Sequence, residues 1–343
     1  MTTASSMKED RGECYTPPQC PAPRSETEEQ RVCLATLEDR DPVIAIDRDI
    51  FHGRDFLPAI YPSLVQGQGV YSHICKIGNR VVSFTSVEIV DGGQTVVTSG
   101  GRVSPDCRGS GVYGRFIKQV LQNYTSLPGI RYLAFTTNNI NMDANGAKIL
   151  KTHKLILEKE IFTVDVDGSA MDSSISEESL PGVRSLTEED IRRLLSADPG
   201  QLRHLFPEER IVLGWKPFRL MVSNLHHLLT YSSSPRLFLA SIAGNEDVIS
   251  TPLLSCGSFY PCKLGVCYML DMFGNGNTQQ LLTHFEWHVR QLHGIVGKSN
   301  ALFSVFFSRS VEGEMKLMRE NHPFIHDVQH PPYNKLVVLE QEL

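Results

Sequence analysis

Apolar and polar positions alternate in short runs along most of the chain, and stretches of helical periodicity separate those runs. In the first half, residues 32–36 read as a strand, 39–50 as a helix, and 52–65 as a loop with a second helix. Three strand patterns follow at 71–77, 81–90 and 95–103. Gly78-Asn79 and Asp91-Gly92-Gly93 separate them, and these residue types accept the positive φ of hairpin turns. A glycine-bearing loop then leads into a helix at 112–124, a strand at 132–137, a helix at 143–153 and a strand at 155–166. This order predicts an α/β fold of the α+β type, with a central mixed and largely antiparallel sheet.

In the second half, Thr187 with acidic residues behind it predicts a capped helix over 188–195. Further on come a strand at 266–273, a Gly274-Asn275-Gly276 break, a helix at 278–292, a strand at 302–307, a helix at 312–321 and a strand at 335–339. Strand, helix, strand, helix, strand thus recurs at nearly the spacing of the first half, Met272 to Leu302 against Val103 to Arg131. That recurrence predicts a C-terminal α/β domain that is a degenerate repeat of the first. Two polar segments frame the halves. Residues 1–30 carry Pro17, Pro18, Pro21 and Pro23 among Ser, Thr, Glu and Gln and read as a disordered tail. Residues 168–186, rich in Ser with Pro181 and Gly182, read as a linker, so domains are expected at 31–167 and 187–343.

Composition narrows the function classes. The chain has 343 residues and a formal net charge of -6, with 33 Lys and Arg against 39 Asp and Glu and no long basic run, which argues against nucleic acid as a partner. No apolar run approaches the roughly 20 residues of a membrane helix, and no leader-like apolar stretch opens the chain, so a cytoplasmic location and no membrane partner are expected. The eight cysteines are dispersed without CxxC spacing, which favours free thiols. Cys256, Cys262 and Cys267 read as buried or incidental.

The most informative segment is the loop 102–116. Glycines between a strand and a helix let the backbone approach an anion where free N–H groups meet the positive end of the helix dipole, so a phosphate or pyrophosphate is the natural ligand. Gly109, Gly111 and Gly114 satisfy GxGxxG, but the preceding strands are antiparallel and Arg131 stands where a ribose-binding carboxylate belongs, which argues against a nicotinamide site. His284 and His288 share a helix face, yet Glu286 is not at the position that zinc-protease chemistry needs.

Antiparallel strands, a phosphate loop and a helix in this order resemble the GNAT acetyltransferases. Their loop signature Q/R-x-x-G-x-G/A is matched from Arg108 through Gly111 and Val112, with Tyr113 where Gly or Ala is usual. Residues 52–61, 90–97 and 101–103, with Trp215-Lys216-Pro217-Phe218 and Asn224-Leu225, are similar to the vertebrate histidine N-acetyltransferase group. The resemblance implies acetyl-CoA as co-substrate, its pyrophosphate held by Arg108, Gly109, Ser110, Gly111, Val112, Tyr113 and Gly114. It also implies pairing of the pantetheine arm with Gly101, Arg102 and Val103. No carboxylate lies between Gln94 and Arg102, and Ser99 stands where a base is usual, so Glu88 and Asp91 are the nearest candidate bases and His153 the candidate acid. For a small amine acceptor, Arg54 could bind a carboxylate, Asp55 an ammonium or imidazole, and Tyr61 could stack. Leu64 replaces a Trp usual three positions after this Tyr. The expected function is an acetyl-CoA-dependent N-acetyltransferase of a free amino acid such as L-histidine. The alternative, motivated by Tyr113 and the missing strand carboxylate, is a catalytically impaired acyl-CoA-binding pseudoenzyme or regulatory module.

Overall fold

The two hairpin turns organise the first half of the molecule. The computed structural model describes residues 30–48, 50–171, 180–232, 234–242, 246–328 and 333–343, so nearly all of the expected tail and the middle of the expected linker lie outside the described residues. The first half runs β1 (Gln30–Leu34), α1 (Arg40–Ile44), α2 (Leu57–Gln66), β2 (Val70–Ile77), β3 (Arg80–Val90), β4 (Thr95–Val103), α3 (Val112–Thr125), β5 (Tyr132–Asn138), α4 (Asn139–Ile149) and β6 (Lys154–Val166). Two helices differ from expectation. α1 stops at Ile44, and the chain then turns through Phe51 and His52, both left-handed at φ 57 and 51. α4 starts early because the Asn138 side chain accepts the Asn141 N–H and caps it.

The second half runs β7 (Arg184–Ser185), α5 (Glu188–Ser196), β8 (Arg210–Leu213), β9 (Lys216–Arg219), α6 (Leu225–Leu229), β10 (Thr230–Tyr231), β11 (Ser234–Pro235) and β12 (Leu237–Ala240). It continues with β13 (Leu253–Cys262), β14 (Gly265–Gly274), α7 (Thr278–Val296), β15 (Ala301–Phe307), α8 (Glu312–Asn321), β16 (Ile325–Asp327) and β17 (Lys335–Glu342). Thr187 caps α5 in a reciprocal box with Asp190. The end of the expected linker forms β7, which pairs with β12.

Both halves contribute to one mixed sheet in the order β1-β2-β3-β4-β5-β17-β6-β15-β14-β13-β12-β7, with β16 also on β6. The halves exchange strands. The last strand of the chain, β17, lies between β5 and β6, while the far end of β6 pairs with β15 and β16. The cores join accordingly: Leu57, Ile60 and Leu64 of α2 share a cluster with Tyr260, Met269, Phe306 and Leu336. On the other face α3 packs Phe116, Val120 and Tyr124 against Val82, Val87 and Val96. Among the described residues, no helix is long and apolar enough to cross a membrane.

Two irregularities open the sheet. Parallel pairing of β4 with β5 ends at Thr98 and Phe135, and the strands diverge beyond it. On the other edge of β4 the register against β3 slips between Phe84↔Arg102 and Ser86↔Ser99, a bulge that Gly100 makes with φ 65.

Candidate functional site

The split between β4 and β5 is a cavity of about 420 Å³. Ser99 to Val103 form one wall, Phe135 to Asn138 with Asn141 the opposite one, and Tyr113 lies at the loop end. Since β4 has no partner on this side after Thr98, its outward N–H and C=O groups are available to an extended ligand.

The glycine loop follows β4, and its Tyr113 lines the cavity. Gly109 and Gly111 take φ 76 and 77, the left-handed conformation glycine adopts without strain. No side chain caps α3, so its first N–H groups are not bonded by a capping residue. A Cβ at Gly109 or Gly114 would meet nothing within 4 Å, which leaves room for an anion against the backbone. The loop therefore fits a pyrophosphate. Arg108 is exposed and ion-paired with Asp47, Ser110 donates to the Cys107 carbonyl at 2.6 Å, and Val112 is buried under α3. Tyr113, the departure from the family pattern, points beneath β4. Its hydroxyl lies 2.2 Å from where a Cβ on Gly101 would be, so that position admits only glycine while Tyr113 keeps this place.

Arg54 also lines the cavity. Its Nε and Nη1 are buried and have no hydrogen-bond partner, and Tyr260 donates its hydroxyl to the Arg54 carbonyl at 3.1 Å. Asp55 is occupied: it accepts from Arg102 Nη1 and Nη2 at 3.0 and 2.9 Å and from the Leu57 N–H at 3.0 Å. An acceptor ammonium would have to compete with that bidentate pair, so Asp55 and Arg102 act here as a clamp joining β4 to the start of α2. Tyr61 is not in the cavity. It is fully buried, tilted against Phe84, and donates to the Thr36 carbonyl at 2.8 Å, which makes it core.

The structure ties up both expected bases. Glu88 pairs with the Lys216 ammonium and with His227 Nδ1 at 2.9 Å. Burial alone would raise its pKa, but the Lys216 charge and the His227 bond outweigh that and hold it well below the usual carboxylate range. Asp91, left-handed at φ 58, accepts from the Arg219 N–H at 2.9 Å and from Asn224 Nδ2 at 2.6 Å, anchoring the β8–β9 hairpin to the β3–β4 turn. Neither carboxylate lines the cavity. His153 packs its ring edge on Phe135 behind the wall, and burial lowers its pKa.

Sequence reasoning missed the far wall, which comes from the second half: Trp215, Lys216, Tyr231, Tyr260 and Tyr333. Trp215 is left-handed at φ 67, conformational strain of the kind that a functional site retains. Its turn is held by Asp271, which accepts the Gly214 N–H at 2.9 Å and pairs with the buried Lys159 at 3.2 Å. The signal was present only as the Trp215-Lys216 segment, with nothing to say which cavity it meets. Burial raises the hydroxyl pKa of all three tyrosines, Tyr333 to about 12, so they are protonated donors at neutral pH.

Comparison with known proteins bears on the family and the fold. Residues 179–306 match the family model described as histidine N-acetyltransferase, C-terminal. A histidine N-acetyltransferase from Xenopus tropicalis is 30% identical over 76% of this chain and 81% of its own length. One from Scomber australasicus is 28% identical over 82% of this chain and 86% of its own. Among solved structures, a tandem GNAT protein from the clavulanic acid biosynthesis pathway superposes with a TM-score of 0.54 over 92% of this chain and 98% of that one, at 11% identity.

Proposed function

The chain belongs to the histidine N-acetyltransferase family and is an N-acetyltransferase of GNAT fold, and on that premise we propose that it acetylates the α-amine of a free amino acid, L-histidine foremost, from acetyl-CoA. The observation that carries the acceptor reading is Arg54, a lining residue whose guanidinium has two buried nitrogens without a hydrogen-bond partner, in a cavity also lined by aromatic rings. A planar fork of donors suits the carboxylate of a free amino acid, which a residue inside a protein lacks. Tyr231, Tyr260, Tyr333 and Trp215 offer π-faces and hydroxyls to a planar polar side chain such as imidazole.

Acetyl-CoA would supply the activated acyl group. The backbone N–H groups of Gly109 to Gly114 would hold its pyrophosphate, and the unpaired edge of β4 from Gly100 to Val103 its pantetheine arm, with a β4 N–H available to the thioester carbonyl. The Arg102–Asp55 clamp keeps that edge fixed relative to Arg54, so much of the rate enhancement is assigned to positioning. No Asp or Glu lines the cavity among the described residues. The acceptor amine therefore enters neutral or loses its proton to water, and a tyrosine hydroxyl is the nearest class of donor for the departing thiolate.

The test is a thiol-release assay of the purified full chain with acetyl-CoA and a panel of free amino acids and N-terminal peptides, with mass spectrometry of the products. The expected product is Nα-acetylhistidine, with blocked or amidated carboxyl groups abolishing turnover. Acetylation of peptides in preference to every free amino acid would overturn the acceptor assignment.

A further inference from the structure

The hairpin of β13 and β14 closes through the pairs Tyr260↔Cys267, Pro261↔Val266 and Cys262↔Gly265. Strand alternation puts Tyr260, Cys262, Gly265 and Cys267 on one face, where Gly265 has no side chain to separate the two cysteines. Their sulfurs lie 3.5 Å apart, the Cys267 thiol donating to Cys262. Cys262 is half-buried beside the exposed turn Lys263-Leu264, while Cys267 is buried behind it. The pair sits beside Tyr260, which lines the cavity, yet the acetyl-transfer reading makes no use of either thiol.

The electrostatics separate this pair from other thiols of the chain. The Cys267 S–H bond, the Leu264 N–H and the Arg54 charge lower the pKa of Cys262 in spite of its burial, and the same contact raises that of Cys267. Burial pushes Cys75 up to about 11 and Cys256 up to about 12, which leaves both as inert thiols. One nucleophilic, accessible sulfur next to a protonated second one is the arrangement of a reacting and a resolving cysteine.

We propose that Cys262 and Cys267 form a thiol–disulfide modification site whose oxidant is hydrogen peroxide. The Cys262 thiolate attacks the peroxide oxygen, the O–O bond breaks, and Cys262 becomes a sulfenic acid while hydroxide leaves and is protonated to water. The Cys267 sulfur then attacks Cys262, the S–S bond forms as the S–O bond breaks, and the departing hydroxide takes the Cys267 proton as a second water. In sum two thiols lose two hydrogens and one hydrogen peroxide becomes two waters. Bonding requires the sulfurs to approach by about 1.5 Å, from 3.5 Å to a bond of about 2.05 Å.

The full chain is exposed to hydrogen peroxide, alkylated, digested without reduction and mapped by mass spectrometry. The expected result is an intramolecular link between Cys262 and Cys267, formed ahead of any change at Cys75 or Cys256 and reversed by dithiothreitol. Cys262→Ser, at the half-buried end of the hairpin, is expected to keep its melting curve and lose the link. In Cys267→Ser a dimedone-reactive sulfenic acid should persist at Cys262. The wild-type mapping needs no variant, so the proposal remains testable if Cys267→Ser fails to fold. Wild-type protein in which both thiols stay alkylatable at peroxide doses that oxidise its methionines, or in which Cys262 passes to sulfinic acid unlinked, would overturn it.

Discussion

Arg54 holds two buried nitrogens, Nε and Nη1, with no hydrogen-bond partner in the protein, so a ligand or water must supply the acceptors. On the acceptor reading, Arg54→Lys keeps the charge and loses the fork. A charge-assisted bond is worth about 1.5–3 kcal/mol, so the acceptor KM is expected to rise roughly 10- to 100-fold with the acetyl-CoA KM unchanged. Steady-state kinetics with each substrate varied in turn checks this, and a rise confined to the acetyl-CoA KM would place Arg54 at the other end of the cavity. Gly101 gives a second residue-scale case. Gly101→Ala drives a Cβ into the Tyr113 hydroxyl, so a lower melting temperature and weaker acetyl-CoA binding are expected, partly restored in the Gly101→Ala/Tyr113→Phe double variant. Additive losses in the double variant would show that the two residues do not compete for that space. Both residues were legible as members of motifs, but their contacts were not. The same holds for Glu88, whose carboxylate is obvious in β3 while the Lys216 and His227 that hold it lie in the other half of the sequence.

At the level of elements, hydrophobic periodicity predicted β1 to β6 and the run from β14 to α8 with β17, where each element buries a face with its own period, but gave no sign of β7, β12, β13 or β16. α7 is instructive, since its His284 and His288 were readable as an i, i+4 pair and no more. In the fold they are fully buried in a hydrogen-bonded chain with Ser241, Ser255 and Tyr268. Tyr268 donating to His288, His288 to Ser255, Ser255 to His284 and His284 to Ser241 gives every ring nitrogen a partner with both imidazoles neutral. Burial lowers His284 to about 3 and holds His288 well below the usual imidazole value. The folded state thus binds fewer protons than the unfolded chain below the usual histidine value of roughly 6.5. The stability contributed by the neutral pair is complete above that pH and is lost as pH falls beneath it, by about 1.4 kcal/mol per pH unit for each histidine. The melting temperature should fall steeply between about pH 6.5 and 5, before most carboxylates titrate. In His288→Gln the starting value is expected to be lower and the slope shallower. An unchanged slope in that variant would mean that other groups dominate the acid limb.

For the molecule as a whole, the strand exchange makes the halves interdependent. β17 was legible as a strand from its apolar run, but pairing across the chain leaves no local trace, so the sequence offers no sign that the last strand completes the first sheet half. Leu336, Val337, Val338 and Leu339 are all at most 2% exposed, and β17 is bonded to β5 on one side and β6 on the other. At roughly 1.5–3 kcal/mol per buried aliphatic side chain, these four contribute about 6–12 kcal/mol, as much as the entire stability of a typical domain. Their removal also leaves β5, which walls the cavity, with an unpaired edge facing β6. A chain ending before Asn334 is therefore expected to lose cooperative folding in both halves, although the deletion lies far in sequence from the glycine loop. Calorimetry of the intact chain should show one transition, and the truncated chain should show neither a native near-ultraviolet dichroism spectrum nor acetyl-CoA binding. A truncated chain that still melts cooperatively and binds acetyl-CoA would show that the first half closes its sheet without the strand it borrows.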